Sequence, residues 1–153
     1  MPKVSVLVPI YNVEKYLRQC LDSLINQTLE DIEIICINDG STDSSPEIIK
    51  EFQAVRIKVI NKENSGYGAS MNMGVDMATG EYIGIVESDD YAENTMFENL
   101  YNQAKANDLD ILKSDFIKYW GDTNQCVKAG IIDKDWCDKV FTTDEYKEVL
   151  NII

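Results

Sequence analysis

Residues 80–91 have the sequence GEYIGIVESDDY, in which a turn glycine leads into a short apolar segment and then into three carboxylates within four positions. An apolar segment of this length, bounded by glycine and charge, predicts a buried strand with the acids at its exit. Clustered carboxylates repel one another, and Mg²⁺ or Mn²⁺ is the simplest counter-charge because both ions prefer oxygen ligands. Taken alone, the three acids favour the alternative, a solvated loop that merely ends a strand.

The net charge of the chain limits the ligands that it can attract. The 153 residues include 14 Lys and Arg against 27 Asp and Glu, which gives a net charge of −13. Nucleic-acid binding needs a basic surface, so we expect no nucleic-acid partner. A polyanionic ligand would be repelled by the general field, and metal and local backbone dipoles would have to attract it.

The absence of histidine and the spacing of the cysteines exclude several kinds of site. The chain has no His, so neither a His-based nucleophile pair nor the usual zinc ligand is available. None of the four Cys (Cys20, Cys36, Cys126 and Cys137) forms a CxxC pair. With no signal peptide, no dense cysteine framework and no apolar run of transmembrane length, we expect a reduced, cytoplasmic location.

Apolar strand-like segments alternate with helical periodicities along the first two thirds of the chain. Strands are predicted over residues 3–10, 32–38, 57–60 and 82–86, and a helix over residues 69–78. Two earlier helices are predicted to begin at Asn12 as N-cap and at a capping box formed by Ser44 and Glu47. The alternation predicts an α/β fold, with a mostly parallel sheet covered by helices on both faces.

The last third of the chain has a weaker pattern. A capping box at Thr95 and Glu98 predicts a fourth helix, and residues 110–119 and 127–132 predict two further strands, the first at a sheet edge. A last helix is predicted to begin at Thr142. We expect residues 1–153 to form a single domain that is truncated at its C-terminus, because the chain stops inside or just after that helix.

Polar residues follow each of the first four predicted strands. In a parallel sheet the ligand binds beyond the carboxyl ends of the strands, so these segments are the candidate site. No GxxxxGK[ST] sequence is present, and the glycines at 66 and 68 lack a third glycine at the spacing of a dinucleotide fingerprint. The four polar segments are residues 11–12, 39–43, 64–68 and 87–90.

These separated motifs resemble the glycosyltransferases of family 2, which have the GT-A (Rossmann-like) fold. The resemblance extends over about residues 3–119. Glu87, Asp89 and Asp90 lie where the family has its Asp-x-Asp motif. The other matching pieces are VSVLVPIYN at 4–12, INDGSTD at 37–43, Asn64-x-Gly66, Asn72-x-Gly74 and ATGEY at 78–82.

The resemblance implies a role for each matching position. Tyr11 would lie against the base of a nucleotide, and Asp39 would accept a hydrogen bond from the N–H of the base ring. Asp89 would ligate Mg²⁺ or Mn²⁺ on the diphosphate, assisted by Glu87 or Asp90 directly or through water. The nucleotide-binding residues implied in this way are Pro9, Tyr11, Asn12, Glu14, Asp39, Asn64, Gly66, Gly68 and Ser88.

The chain departs from the family pattern at three places. Position 87 is Glu where the family usually has Asp, and Met71 stands where an Arg often precedes the Asn. The catalytic base of the family lies in a later, acceptor-side segment, and we expect it beyond residue 153. The late acids of this chain do not lie in that motif; they are Asp133, Asp135, Asp138 and Asp144.

The resemblance implies a metal-dependent, inverting transfer of a sugar from a nucleotide diphosphate donor, UDP-linked, to a glycan or lipid-linked acceptor in polysaccharide biosynthesis. A non-catalytic nucleotide-binding fragment or module is the alternative. A sugar nucleotidyltransferase fits less well, because the loop after the first strand is not rich in glycine and basic residues. Membrane association through a missing C-terminal part and a homodimer are both left open.

Overall fold

Strands and helices alternate from the N-terminus to Ala106, followed by a β-hairpin. The computed structural model describes residues 1–52, 56–120, 125–129, 139, 140 and 142. The chain forms two compact units, Met1–Tyr101 and Asn102–Ile153. The elements are β1 (Val4–Ile10), α1 (Glu14–Ile25), β2 (Ile32–Asp39), α2 (Ser45–Glu51), β3 (Ile57–Lys62), α3 (Tyr67–Met77), β4 (Tyr82–Ile85), α4 (Met96–Ala106), β5 (Phe116–Trp120) and β6 (Gln125–Ala129).

Within the described residues, β1 to β4 form a parallel sheet in the order β3-β2-β1-β4. The central strands β1 and β2 are buried along their whole length, because both faces of the sheet are covered. Val6 and Val8 of β1 pack on one face with Leu17 and Leu21 of α1. Leu7 faces the other way, into a cluster that includes Met71 of α3. The predicted α/β fold with helices on both faces is therefore confirmed.

Neither of the first two helices has the side-chain cap that the sequence predicts. Val13, and not Asn12, is the N-cap of α1; Asn12 has a φ of 53° and its Oδ1 accepts a hydrogen bond from Thr42 N at 2.8 Å. Ser44 is the N-cap of α2 but makes no side-chain cap hydrogen bond, so its predicted capping box with Glu47 is wrong. Tertiary partners take the place of local caps here.

The second unit contains a hairpin rather than a further strand of the main sheet. Of the segment predicted as an edge strand, residues 110–115 are not in a strand, and β5 pairs antiparallel with β6. Only four residues separate β5 from β6 in the sequence, so pairing these two strands costs little loop-closure entropy. Residues 130–132 of the next predicted strand, and the helix predicted after Thr142, lie outside the described residues. In the part of the chain that the structure describes, no helix is both long and apolar enough to cross a membrane.

Candidate functional site

Three polar segments meet at one edge of the sheet. β2 ends at Asp39, β3 ends at Lys62, and β4 leads to Glu87. These three points lie on the same side of the sheet because its strands are parallel. Asp39 lies beside Lys62 in the register of β2 and β3. The edge where ligands bind in folds of this type therefore carries acids from two strands and a lysine from a third.

Asp39 is buried, with 5% of its surface exposed, and its carboxylate is held from several sides. Oδ1 accepts hydrogen bonds from Lys62 Nζ and, at 2.9 Å, from Ser65 N, and Oδ2 accepts one from Gly66 N at 2.9 Å. Burial raises the pKa of Asp39, but the bonds from Lys62, Ser65 and Gly66 outweigh it, and the net pKa is lowered. Asp39 is thus an ionised group that fixes the loop before α3, and Oδ2 keeps acceptor capacity for one more donor.

The glycines of this loop differ in what they contribute. Gly66 is the N-cap of α3 and has φ 89° and ψ 164°, a conformation that is essentially restricted to glycine. Gly68 lies inside the first turn of α3, so the sequence-based prediction of a loop over residues 64–68 is wrong for its last two residues. The helix begins two residues earlier than predicted, at Tyr67, because the turn into it is completed at Gly66. Asn64 is exposed on the loop itself.

A cleft of about 410 Å³ opens between the N-terminal ends of α1 and α2. Its lining includes three residues that the sequence assigns to nucleotide or metal binding, namely Asn12, Glu14 and Asp89. Tyr11, which precedes Asn12 in the chain, is 50% exposed and so does not fill the core. The other lining residues are Val13, Lys15, Tyr16, Thr42 and Asp43.

Reciprocal hydrogen bonds join the two helix ends that form this cleft. Asp43 Oδ2 accepts a hydrogen bond from Glu14 N at 2.9 Å, and Glu14 Oε2 accepts one from Ser44 N at 2.8 Å. Hydrogen bonds from Ser44 lower the pKa of Glu14. Burial raises the pKa of Asp43, but hydrogen bonds from Glu14 and Ser45 outweigh burial, and the net pKa of Asp43 is lowered. Both carboxylates therefore remain ionised while they serve as caps, and they fix this wall of the cleft.

The acids after β4 have different surroundings. Asp89 and Asp90 are exposed, whereas Glu87 is partly buried and its Oε1 accepts a hydrogen bond from Tyr67 Oη at 2.7 Å. Although Asp90 is exposed as a residue, partial desolvation of its carboxyl group and the charge of Asp89 raise its pKa. Within the described residues, no three His, Cys, Asp or Glu side chains converge on a point where they could hold a metal ion. A donor set of one or two carboxylates still fits Mg²⁺ or Mn²⁺, which take further ligands from water and phosphate.

Besides Asp39, two more of the predicted nucleotide-binding residues are largely covered by protein. Pro9 is buried within β1, which stays paired with β2 as far as Ile10. Ser88 is only 5% exposed. A contact of either residue with a ligand would therefore involve the backbone or a small accessible fraction of the side chain.

Sequence reasoning assigned no ligand-binding role to three residues that shape this edge of the sheet: Lys62, Tyr67 and Asp43. Asp43 and Tyr67 lie within two of the polar segments that the sequence marks as the candidate site, 39–43 and 64–68, and Lys62 comes just before the second segment. Asp43 Oδ1 also accepts a hydrogen bond from Ser45 N. No motif distinguished the three, because each bonds a partner 20 or more positions away along the chain.

Comparison with known proteins identifies the family. The sequence profile described as "Glycosyl transferase family 2" matches residues 5–151. The chain belongs to this family. It is 45% identical over 152 residues to the "Uncharacterized glycosyltransferase EpsJ" of Bacillus subtilis (strain 168), which covers 98% of this chain and 43% of the relative.

Solved structures of glycosyltransferases share the fold of this family 2 chain. S. aureus TarS 1-349 in complex with UDP-GlcNAc has a TM-score of 0.65 and 32% identity, over 68% of this chain and 31% of that chain. A mannosyltransferase from Pyrobaculum calidifontis, in complex with GDP-Man and Mn²⁺, has a TM-score of 0.56 and 25% identity, over 59% of this chain and 28% of that chain. The family 2 chain thus spans less than half the length of these relatives.

Proposed function

We propose that this chain binds the donor in a sugar transfer from a nucleotide diphosphate sugar, UDP-linked, to a hydroxyl of a glycan or lipid-linked acceptor. One observation carries the proposal. Asp39, Gly66 and Glu87 lie on one edge of the sheet and are connected through the short loop that leads into α3. A nucleotide needs such an edge, because its base and its diphosphate must be held at a fixed separation.

The base would be selected at Asp39. Its ionised carboxylate has capacity for one more donor, and uracil offers a ring N–H, whereas cytosine has none at that position. Guanine also has a ring N–H, so the preference for uracil draws on the likeness to TarS, which has been crystallised with UDP-GlcNAc. Tyr11, half exposed beside the cleft, is free to stack on the base.

The diphosphate would be held at Asp89. A divalent cation there, ligated by Asp89 with help from Glu87 or Asp90, would neutralise the charge that develops as the nucleotide diphosphate leaves. The likeness to the mannosyltransferase with bound Mn²⁺ supports a metal of this kind. Because the net charge of this chain is −13, a divalent cation would offset the repulsion that a diphosphate meets here.

The chemistry is an inverting single displacement. The acceptor oxygen forms a bond to the anomeric carbon as the bond from that carbon to the phosphate oxygen breaks, and a general base takes the hydroxyl proton. We assign no residue of this chain to that base. Our proposal for the whole protein is a cytoplasmic enzyme of polysaccharide biosynthesis; membrane association and a homodimer remain open.

A non-catalytic nucleotide-binding module is the second candidate. It draws on the roles proposed for the described residues, because Asp39 for the base and Asp89 for the metal both concern binding and not transfer. Turnover of UDP-sugars measured on this chain and on a longer chain of the same protein separates the two candidates. Binding without turnover by either chain supports the module.

The deciding experiment is a calorimetric titration of UDP in the presence and absence of Mn²⁺. We expect Mn²⁺ to strengthen UDP binding, and Asp89→Asn to remove that increment because the metal loses its carboxylate. Asp76→Asn, an exposed aspartate on α3, is the matched control and should leave the increment intact. If neither UDP, GDP nor another nucleotide diphosphate binds in the presence of Mn²⁺ or Mg²⁺, the proposal is contradicted.

A further inference from the structure

A tyrosine at the start of α3 is hydrogen-bonded to the first acid of the motif after β4. Tyr67 is the first residue of α3, and its hydroxyl donates to Glu87 Oε1 at 2.7 Å across twenty positions of sequence. Tyr67 is 54% exposed, so it contributes little to the core, and the hydrogen bond is its main polar contact. We propose, on the basis of the proposed function, that Tyr67 is a positioning residue that aims Glu87 at the metal and so couples the base end of the site to its diphosphate end.

The length of the Glu87 side chain makes this contact feasible. Position 87 usually carries Asp in the family that this chain resembles, and Glu is one methylene longer. The additional length takes the carboxylate to the Tyr67 hydroxyl, which occupies Oε1 and leaves Oε2 for a metal-bound water or the metal itself. Hydrogen-bonding partners of this kind fix the orientation of a metal ligand, and their loss typically lowers metal affinity about 10- to 100-fold.

Tyr67 also connects Glu87 to Asp39. Asp39 accepts hydrogen bonds from the backbone of Ser65 and Gly66, and Tyr67 follows directly. Three consecutive residues therefore join the acid proposed to bind the base to an acid proposed to serve the metal. The turn at Gly66 is anchored, because the backbone N–H groups of Ser65 and Gly66 both donate to Asp39.

This connection predicts a specific functional signature. If Tyr67 acts through Glu87, its hydroxyl matters only when metal is present. Loss of the hydroxyl should therefore weaken metal-dependent UDP binding and leave metal-free UDP binding unchanged. A residue that merely supported the loop before α3 would weaken both to the same extent.

The test uses the chain itself with UDP and MnCl₂ as probes in isothermal titration calorimetry. We expect Tyr67→Phe to weaken apparent Mn²⁺ affinity in saturating UDP about tenfold, with no change in UDP affinity without metal. Tyr91→Phe is the matched control, since Tyr91 is 49% exposed and adjoins the same acids; it should behave as the wild type. Melting temperatures without ligand verify that each variant is folded.

A double-mutant cycle with Glu87→Asp tests whether the effect passes through Glu87. The shorter side chain cannot reach Tyr67, so Tyr67→Phe should have no further effect on Mn²⁺ affinity in that background. Equal effects in both backgrounds, or equal loss with and without metal, would overturn the inference. If Asp89→Asn removes the gain in UDP affinity that Mn²⁺ produces, but Tyr67→Phe binds Mn²⁺ like the wild type, only the role of Tyr67 is refuted. If Mn²⁺ produces no gain in UDP affinity in the wild type, the proposed function is refuted as well.

Discussion

Strand β2 carries a buried carboxylate near each end, and the two have different tasks. Glu33 and Asp39 are each 5% exposed, and each is paired with a lysine of β3, Lys58 at the amino end and Lys62 at the carboxyl end. Glu33 fixes the chain where it leaves α3, since its Oε1 accepts hydrogen bonds from Thr79 N at 2.7 Å and Thr79 Oγ1 at 2.8 Å. Asp39 fixes the chain where it enters α3.

The two ends of β2 differ in where the hydrogen-bond network around each carboxylate leads. Around Glu33, Ser5 donates to the carboxylate and accepts in turn from Gly80 N at 2.8 Å, so the bonds close on themselves within the fold. Around Asp39, the bonded loop continues into Tyr67 and hence to Glu87. Burial of a charge therefore does not distinguish the two ends; what distinguishes them is that the bond network around Asp39 continues to Glu87, a partly buried acid close in sequence to the exposed Asp89 and Asp90.

The largest expected effect is on stability at the amino end. Glu33→Ala leaves the Ser5 and Thr79 donors without their acceptor, and each buried donor left unpaired costs about 1–3 kcal/mol. Lys58, whose side chain is 46% exposed, is solvated once the carboxylate is gone. Urea unfolding measures this change, with Glu30→Ala at an exposed position as a control expected within about 0.5 kcal/mol of the wild type. A loss as small as that of the control would break the comparison, because Glu33 would then have no structural task.

Acid should destabilise the protein through the same residue. Burial raises the pKa of Glu33, but bonds from Lys58, Ser5 and Thr79 outweigh it and lower the pKa from 4.5 to about 2. Because the pKa of Glu33 is lower in the folded state, its ionised carboxylate stabilises the fold at pH values above 4.5, the pKa in the unfolded state. This stabilisation, about 3 kcal/mol, is lost as the pH falls from 4.5 towards 2. Urea unfolding of the wild type and of Glu33→Gln over this range measures it; the variant should depend less steeply on pH, and parallel curves would contradict the assignment.

At the carboxyl end, two neighbouring glycines sharpen the comparison. Gly66→Ala forces a side chain into a conformation that suits glycine alone, at a cost of about 1–3 kcal/mol, although no atom lies within 4 Å of the added Cβ. Gly68→Ala, also in open space but helical, should stabilise the chain by up to about 1 kcal/mol. Thermal unfolding distinguishes them, and effects of the same sign would mean that the turn at Gly66 is not needed.

The smallest expected effect is on binding. Asp39→Asn and Glu33→Gln make the same chemical change at the two ends of one strand. Asp39→Asn should weaken UDP binding by about 1.5 kcal/mol, or roughly tenfold, because a charged acceptor for the base N–H is lost. Glu33→Gln should leave UDP affinity unchanged. Titration calorimetry measures the UDP affinity of both variants. If both changes weaken UDP binding equally, the two acids act on binding only through the stability of the fold.

The sequence by itself determined the fold and the edge of the sheet at which we propose the site. Continuous apolar strands such as residues 4–10 and 32–37, alternating with helical periodicity, allow few arrangements other than a covered parallel sheet. Polar residues that follow such strands must lie at one edge, because parallel strands share a direction. That is why Asp39 and Glu87 could be assigned to the same edge from the sequence.

Only the tertiary structure decided which atoms these residues bond. Asn12 has the chemistry of an N-cap, yet it bonds Thr42; Gly68 was expected in a loop, yet Gly66 makes the turn. Asp39 is bonded by residues 23 to 27 positions away, and Glu87 by a tyrosine 20 positions away. Local patterns carry no information about such partners, because a hydrogen bond forms between groups that the packing of distant segments brings within about 3 Å.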